Sequence, residues 1–157
     1  MDKITIREAV LEDLSVLLRF EKSLIEAERP MDPTIRKGDL HYYDLREFIL
    51  DDQVKVLVAE SDGRIVSSGY GMAKPARKYL DHEQYALLGF MYTLPHYRGK
   101  GINRMIIEEL RAWAYQNGLY EIRLTVYQDN APAIAAYEKA GFRKHLIEMR
   151  LPRSTNE

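Results

Sequence analysis

The most constraining feature of the sequence is an apolar strand, a helix and a second apolar strand that follow one another between Tyr85 and Tyr127. The strand candidates are YALLGFMYTL and YEIRLTVY, and apolar residues recur every three or four positions between them. Gly118 after Asn117 marks the end of the helix, and Gly89 inside the first strand indicates a bulge or a close backbone approach. Such a crossover places its strands parallel, with a right-handed connection. The segment therefore predicts an α/β domain.

The rest of the chain predicts further strands and helices around this unit. KITIREA alternates apolar and polar residues as a half-buried strand does, and Asp62-Gly63 joins two strand candidates in the pattern of a hairpin. In chain order we predict a strand over 3–9, a helix over 12–28, a short helix around 45–50, strands over 54–60 and 64–73, the unit from 85 to 127, a helix over 130–140 capped by Asn130, and a closing strand over 142–151. This order gives a mixed β-sheet with helices on both faces.

Length and composition are typical of a single soluble domain over residues 1–157. The net charge of −1 gives no electrostatic field that would attract a nucleic acid or a membrane surface as partner. The N-terminus lacks the apolar run of a signal peptide, so we expect a cytoplasmic protein. The sequence contains no cysteine, which excludes a disulfide and a cysteine nucleophile. The four histidines lack metal-ligand spacing, and we expect no metal.

Two glycines and two cations precede the helix of the strand-helix-strand unit. In RGKGIN (98–103), Gly99 and Gly101 would let an anion approach the backbone amides at the helix N-terminus, and the flanking cations would add positive charge. This pattern favours a pyrophosphate site. It is neither a GxxxxGK[ST] loop nor a GxGxxG fingerprint, because Arg104 occupies the third glycine position. A plain strand-to-helix turn is the alternative that spacing alone leaves open.

Two segments resemble signature motifs of the GNAT superfamily of acyl-CoA-dependent N-acyltransferases. RGKGIN resembles the Arg/Gln-x-x-Gly-x-Gly/Ala motif, with Asn103 where the family usually has Gly or Ala. NAPAIAAYEKAGF (130–142) resembles the Asn-x-x-Ala-x-x-x-Tyr-x-x-x-Gly-Phe motif. The first strand and the predicted hairpin also fall where family members have them, so the resemblance covers most of the chain. It implies a GNAT-like fold, with acetyl-CoA as cosubstrate.

The resemblance also implies a role for individual residues along acetyl-CoA. Backbone amides of 98–103 would hold the pyrophosphate, residues 91–93 would pair with the pantetheine arm like an added strand, and Asn130 would contact the same arm. Tyr137 would stand near the thioester sulfur as general acid, although core packing of a hydrogen-bonded tyrosine also accounts for it. The cofactor-binding residues implied are Met91, Tyr92, Thr93, Arg98, Gly99, Lys100, Gly101, Ile102, Asn103 and Asn130.

No residue is an obvious general base, although an amine acceptor must lose a proton before it can attack. Glu83, just before the strand that leads to RGKGIN, resembles in position the carboxylates that some family members use, and we predict it as a second catalytic residue; a solvated loop acid is the alternative. His82 and His96 are rivals for this role. Thr125 stands where protein N-terminal acetyltransferases of the superfamily often have a glutamate, which disfavours that class of substrate.

The loop after the first long helix is expected to select the acceptor. Its carboxylates could attract an ammonium while Tyr42 and Tyr43 flank it, or the loop could simply be solvated. These carboxylates belong to Glu26, Glu28, Asp32 and Asp39.

We therefore predict an N-acetyltransferase that moves an acetyl group from acetyl-CoA to a primary amine of a small molecule or peptide. Direct attack in a ternary complex is expected, with backbone amides near Met91 and Tyr92 acting as an oxyanion hole. A noncatalytic acyl-CoA-binding or regulatory module is the alternative function. The edges of a mixed sheet could also support a homodimer.

Overall fold

The computed structural model describes residues 3–153, which form a five-stranded sheet and four α-helices. The strands are β1 (Ile4–Glu8), β2 (Val54–Ser61), β3 (Arg64–Pro75), β4 (Gln84–Thr93) and β5 (Ile122–Arg123), and the helices are α1 (Leu14–Glu28), α2 (Leu45–Leu50), α3 (Ile102–Gln116) and α4 (Ala131–Lys139). The strand order is β1-β2-β3-β4-β5, antiparallel throughout except for the parallel β4–β5 pair. The predicted mixed sheet and its parallel pair are confirmed.

The hairpin of β2 and β3 turns at Asp62 and Gly63, as the sequence predicts. Both residues have left-handed backbone, with φ of 51° and 77°. A two-residue hairpin turn needs positive φ at both central positions, which Asp and Gly tolerate better than most residues. This hairpin lies between β1 and β4 in the strand order of the sheet.

The two faces of the sheet bury different helices. Val56 and Val58 of β2 pack with α1 and α2, whereas the alternate residues Leu57 and Ala59 pack with α3. This follows from the two-residue period of a strand and from the apolar stripe along each helix. The prediction of helices on both faces is confirmed. Among residues 3–153, no helix is long and apolar enough to cross a membrane.

Strand β4 contains an irregularity where Gly89 lies. The register with β3 shifts between Ser68 and Tyr70, and Phe90 has a φ of 53°, which is rare for a residue with a side chain. A Cβ on Gly89 would lie 2.5 Å from the ring of Tyr70, so the ring occupies the space that any side chain would need. Gly89 thus marks both a bulge and a close approach, in line with its sequence prediction.

The parallel pair of β4 and β5 separates after two residue pairs. Ala86 lies opposite Ile122 and Leu87 opposite Arg123, and beyond them the described strands have no further pairing. The strand predicted over 120–127 is therefore too long. Ile122 and Leu124 pack against the core, but Thr125 and Val126 are exposed, so the second half of this segment gains little burial from pairing.

The closing strand predicted over 142–151 is wrong. These residues have no regular secondary structure, and Leu146, Ile147 and Met149 are 78–89% exposed. Ile147, Met149 and Leu151 alternate with polar residues as in a strand, but this apolar face stays exposed and gains no burial that would support pairing. Phe142 at the start of the segment does pack against the core.

Candidate active site

A glycine-rich turn joins the end of β4 to the start of α3. A short 3-10 turn over Pro95–Tyr97 follows the strand, and Gly99 and Gly101 then take φ of 76° and 81°. A Cβ at either glycine would meet nothing within 4 Å, so left-handed backbone rather than crowding requires glycine there. Gly101 is the N-cap of α3 and no side chain caps the helix. The first amides of α3 therefore face open space at the position predicted for a pyrophosphate.

The side chains of the predicted pyrophosphate loop fall into two groups. Arg98 turns back toward the sheet, where its Nε donates to the Thr93 carbonyl oxygen at 2.8 Å and its guanidinium lies 5.6 Å from the Tyr92 ring centroid. Lys100 is exposed, with its Nζ 5.3 Å from the Tyr97 ring centroid. Ile102 is buried in the core, so only its backbone can reach a ligand. The exposed part of this loop is therefore mostly backbone, with the cations at its border.

The predicted pantetheine-binding residues lie on the free side of β4, where β5 has diverged. Phe90 and Met91 have no partner in the β3–β4 register, whereas Tyr92 and Thr93 pair with Ser68 and Ser67. The Ser67 hydroxyl also donates to the Tyr92 carbonyl oxygen at 2.8 Å. Because β5 pairs only with Ala86 and Leu87, no strand of the described chain pairs with this edge of β4 along Met91, Tyr92 and Thr93.

Helix α4 presents both residues predicted from the second motif. Asn130 is its N-cap, and the Asn130 Oδ1 accepts a hydrogen bond from the Ala133 amide at 3.3 Å, which confirms the predicted cap. Tyr137 lies two turns later, half-buried, with its ring 6.0 Å from that of Phe142 in an edge-to-face arrangement. Burial, and secondarily the Glu28 carboxylate, raise the pKa of Tyr137 to about 12.

An ion-paired aspartate ties the end of α1 to the segment before α4. Asp32, only 8% exposed, accepts hydrogen bonds from the Tyr127 hydroxyl at 3.0 Å and from both terminal nitrogens of Arg150 at 3.1 and 3.3 Å. The hydroxyl and amide of Thr34 also donate to it. These donors, with Arg150 the strongest, hold the pKa of Asp32 well below its usual range. Sequence reasoning did not single out Tyr127 and Arg150, and their distance in the chain from Asp32 left no local signal.

Glu28, the last residue of α1, is in a different state. It is half-buried, and no cation or hydrogen-bond donor in the described part of the chain forms a bond with its carboxylate. Burial raises its pKa, the nearby Tyr42 hydroxyl opposes that rise, and Asp32 adds to it. The Tyr42 hydroxyl is itself buried, and it lies near Glu28 without reaching the geometry of a formed hydrogen bond to any described group.

A buried glutamate of α1, Glu21, fixes the loop that carries Tyr42 and Tyr43. Glu21 is 1% exposed, and its Oε2 accepts the backbone amides of both tyrosines at 2.9 Å. Its Oε1 lies 2.7 Å from the His41 Nδ1. Tyr43 then packs into the core against Tyr70 and Phe90. The loop after α1 is therefore anchored at Tyr42 and Tyr43. The alternative of a simply solvated loop does not hold at these two residues.

The predicted base Glu83 lies away from the other site residues. It is exposed and precedes β4, and a rise of about 3.3 Å per residue puts its Cα roughly 25 Å from that of Met91. The rival His82 shares this end of the strand and lies 2.8 Å from Asp81, whereas His96 is exposed beside the glycine-rich turn. The structure thus leaves Glu83 at the opposite end of β4 from Met91, whereas Asn130 and Tyr137 share α4. Within residues 3–153, no cluster of three or more His, Asp or Glu side chains could hold a metal ion.

Comparisons with known proteins agree with this fold. A protein described as an uncharacterized N-acetyltransferase of Mycobacterium bovis is 32% identical over 97 residues, which cover 62% of this chain. The chain spans 58% of the length of that relative. Two solved structures share the fold, an acetyltransferase with acetyl-CoA from Clostridium acetobutylicum and an aminoglycoside 6'-N-acetyltransferase from Acinetobacter haemolyticus. Both have a TM-score of 0.73, with 19% and 18% identity; each alignment covers 96% of this chain, and 96% and 98% of theirs.

The family profile extends over most of the structure just described. The profile of the Acetyltransferase (GNAT) family matches residues 21–142, from the middle of α1 to the residue that packs against Tyr137. Both motifs that carry the sequence resemblance, RGKGIN and the segment from Asn130, lie inside that match. The chain belongs to the Acetyltransferase (GNAT) family, as its sequence predicts.

Proposed function

We propose that this protein transfers an acetyl group from acetyl-CoA to a primary amine by direct attack in a ternary complex. The observation that carries the proposal is the position of the uncapped α3 N-terminus, with Gly99 and Gly101 in left-handed backbone, directly beyond the open side of β4. An anion-binding helix end beside a free strand edge fits a ligand with a pyrophosphate and an amide-containing arm. Family membership supports the same assignment.

Two kinds of contact would hold the cofactor. The amides from Arg98 to Asn103 would receive the pyrophosphate, with Lys100 available to add charge at the rim. The backbone of Met91, Tyr92 and Thr93 would pair with the pantetheine arm. The Asn130 Oδ1 already caps α4, so its side-chain amide group is the part left to reach that arm.

Acetyl-CoA would supply an activated thioester when bound, and the protein would supply polarisation and proton transfer. The amides around Met91, which lie outside the β3–β4 register, are placed to donate to a developing oxyanion. Tyr137 would donate a proton to the leaving sulfur, and with a pKa that burial raises to about 12 it is fully protonated at neutral pH. No cysteine is present in the sequence to carry the acetyl group, which favours direct attack by the amine.

The acceptor side supports an amine rather than an anion. The charge of Glu28, at the end of α1, acts on the hydroxyls of Tyr42, Tyr127 and Tyr137. A carboxylate with tyrosine rings is suited to a cation. The Acinetobacter protein with the same fold is an aminoglycoside 6'-N-acetyltransferase, and amino sugars therefore belong in the first panel of acceptors.

Calorimetric titration with acetyl-CoA tests the cofactor assignment. Gly101→Glu should abolish binding, because the added carboxylate would face the pyrophosphate and the side chain would strain a φ of 81°. Gly118→Glu is the matched control, since Gly118 has a φ of 73°, lies at the other end of α3 and would also meet nothing within 4 Å. Equal loss of binding in both variants, or no binding by folded wild-type protein, would contradict the assignment. Binding without turnover of any amine would favour a noncatalytic acyl-CoA-binding module.

A further inference from the structure

Two carboxylates one helical turn apart have opposite surroundings. The amide of Asp32 donates to the carbonyl oxygen of Glu28 at 3.2 Å, so the two residues lie on the same turn at the end of α1. The Asp32 carboxylate is fully engaged by Arg150, Tyr127 and Thr34. The Glu28 carboxylate is half-buried and has no cation bound to it within residues 3–153. A half-buried carboxylate without a cation is unfavourable unless a ligand supplies one.

Glu28 lies close enough to three tyrosines from separate parts of the chain for its charge to act on their hydroxyls, and Asp32, one turn further on, is hydrogen-bonded to one of them, Tyr127. Tyr42 comes from the loop held by Glu21, Tyr127 from the segment after β5, and Tyr137 from α4. The charge of Glu28 contributes to the raised pKa of each of these hydroxyls. The Tyr42 hydroxyl is buried and without a hydrogen-bond partner in the described structure, so a polar group is available on the wall next to Glu28.

We propose that Glu28 binds the ammonium of the acceptor and removes its proton, and this inference rests on the proposed acetyl transfer. The carboxylate takes one proton from the ammonium, and the freed nitrogen lone pair forms a bond to the acyl carbon while the carbon–sulfur bond breaks. The nitrogen loses two protons in all; one is matched by the proton that Tyr137 gives to the sulfur, and the other leaves to solvent. Tyr137 is reprotonated through Glu28 or water, so the cycle closes without a further reagent.

The environment of Glu28 suits a base better than that of Glu83. A carboxylate whose pKa is raised by burial accepts a proton more readily at neutral pH than a solvated one. The charge of Glu28 also contributes to the raised pKa of Tyr137, the proposed proton donor to the sulfur. Glu83 is exposed and lies at the far end of β4.

The same surroundings define the class of acceptor. Two arginines lie near this cluster, and both are already engaged. Arg150 is bound to Asp32, and Arg29 is bound to Glu26 and to the carbonyl oxygens of Arg36 and Gly38. A carboxylate beside the reacting amine would face Glu28 without a compensating cation. We therefore expect acceptors with an isolated aliphatic ammonium, such as a diamine or an amino sugar, and discrimination against α-amino acids.

The test compares Glu28→Gln with the wild-type protein, using 1,5-diaminopentane, glucosamine and alanine as acceptors. We expect Glu28→Gln to lower kcat/KM for the diamine by about 100-fold or more, to remove the acid limb of its pH profile and to leave acetyl-CoA binding unchanged. Wild-type protein should prefer the diamine and glucosamine over alanine. Glu109→Gln on the exposed face of α3 is the matched control and should behave as wild type.

Stability separates a catalytic from a structural role for Glu28. Because burial raises its pKa, ionisation of Glu28 disfavours the folded state as pH rises, so Glu28→Gln should be at least as stable as wild type at neutral pH in urea unfolding. A structural residue would lose stability instead. If Glu28→Gln keeps wild-type turnover, the role of Glu28 is overturned while the proposed acetyl transfer stands. If only Glu83→Gln loses turnover, Glu83 is the base. Absence of both turnover and calorimetric binding of every amine in wild type overturns the inference together with the proposed acceptor class.

Discussion

The two halves of the candidate site are built from different materials. The half assigned to acetyl-CoA is mostly backbone, contributed by one continuous stretch from Met91 to Asn103. The half that faces it is made of side chains from the end of α1, the following loop, the segment after β5 and the residues after α4. A backbone site is insensitive to most side-chain changes but sensitive to any that alter φ or fill space. A side-chain site can acquire a new acceptor through single substitutions while the fold is kept.

Replacement of Tyr137 should have the largest effect, because this residue is the proposed proton donor to the leaving sulfur. Tyr137→Phe removes the proton donor, and we expect kcat to fall by about 100-fold with the KM for acetyl-CoA unchanged. Steady-state kinetics with the best amine from the acceptor panel measures this. Tyr120→Phe, at a tyrosine that is 73% exposed, is the control. Wild-type kcat in Tyr137→Phe would assign this tyrosine to packing against Phe142 only.

A methyl group on Gly89 tests the sensitivity of the backbone half. Its Cβ would lie 2.5 Å from the Tyr70 ring, so Gly89→Ala should lower the free energy of unfolding by about 1–3 kcal/mol and weaken acetyl-CoA binding by disturbing the bulge. Urea unfolding and calorimetry measure the two effects. The double variant with Tyr70→Leu should recover part of the stability, since it removes the clashing ring. Additive losses in the double variant would contradict the overpacking explanation.

The same contrast explains what the sequence reveals of this site. Each of the two motifs is one continuous stretch of sequence. The positive φ of Gly99 and Gly101 and the helix cap formed by Asn130 involve only a few neighbouring residues, so both motifs can be recognised in the sequence. The Asp32–Arg150 pair joins residues 118 positions apart, and only the fold brings them together. Acidic residues of the first loop are visible in the sequence, but their division into the paired Asp32 and the unpaired Glu28 is not.

The strands show a similar limit. In the antiparallel part, β2 and β3 could be placed closely from the sequence, because the turn residues Asp62-Gly63 lie between two strand candidates. The end of β5 could not be placed from the sequence. Its pairing depends on where β4 and β5 separate rather than on the residues of 120–127 themselves. The 142–151 segment has strand-like composition without a buried face, and composition alone therefore gave the wrong prediction.

Release of Arg150 should affect the acceptor half alone. Arg150→Ala removes the cation from Asp32 and frees the segment after α4, and we expect the KM for the amine to rise a few-fold. The effect is modest because the Arg150 side chain is 57% exposed and solvent screens the pair. The acetyl-CoA dissociation constant should not change, which calorimetry can check. An equal effect on both ligands would mean that the two halves are not independent. Arg153→Ala, at an exposed position without a described ion pair, is the control.

The smallest expected effect is a pH dependence of stability at His41. Its hydrogen bond with Glu21 raises the pKa of His41 above the ordinary value near 6.5, so protonated His41 stabilises the folded protein fully below about pH 6.5. This contribution is lost as pH rises through the raised pKa. Urea unfolding of wild type and His41→Gln should therefore show a difference that shrinks as pH increases, and a growing difference would contradict the pairing.

The effect of His41 is small for a structural reason. The imidazole is 67% exposed, so solvent screens its interaction with Glu21. Glu21 also accepts the amides of Tyr42 and Tyr43, and these two bonds need no proton on the histidine. The loop that carries Tyr42 should thus keep its place when His41 loses its charge, and amine kinetics in His41→Gln should match wild type above the raised pKa. A pH-dependent loss of amine binding in that variant would instead mean that His41, and not only Glu21, positions the acceptor half.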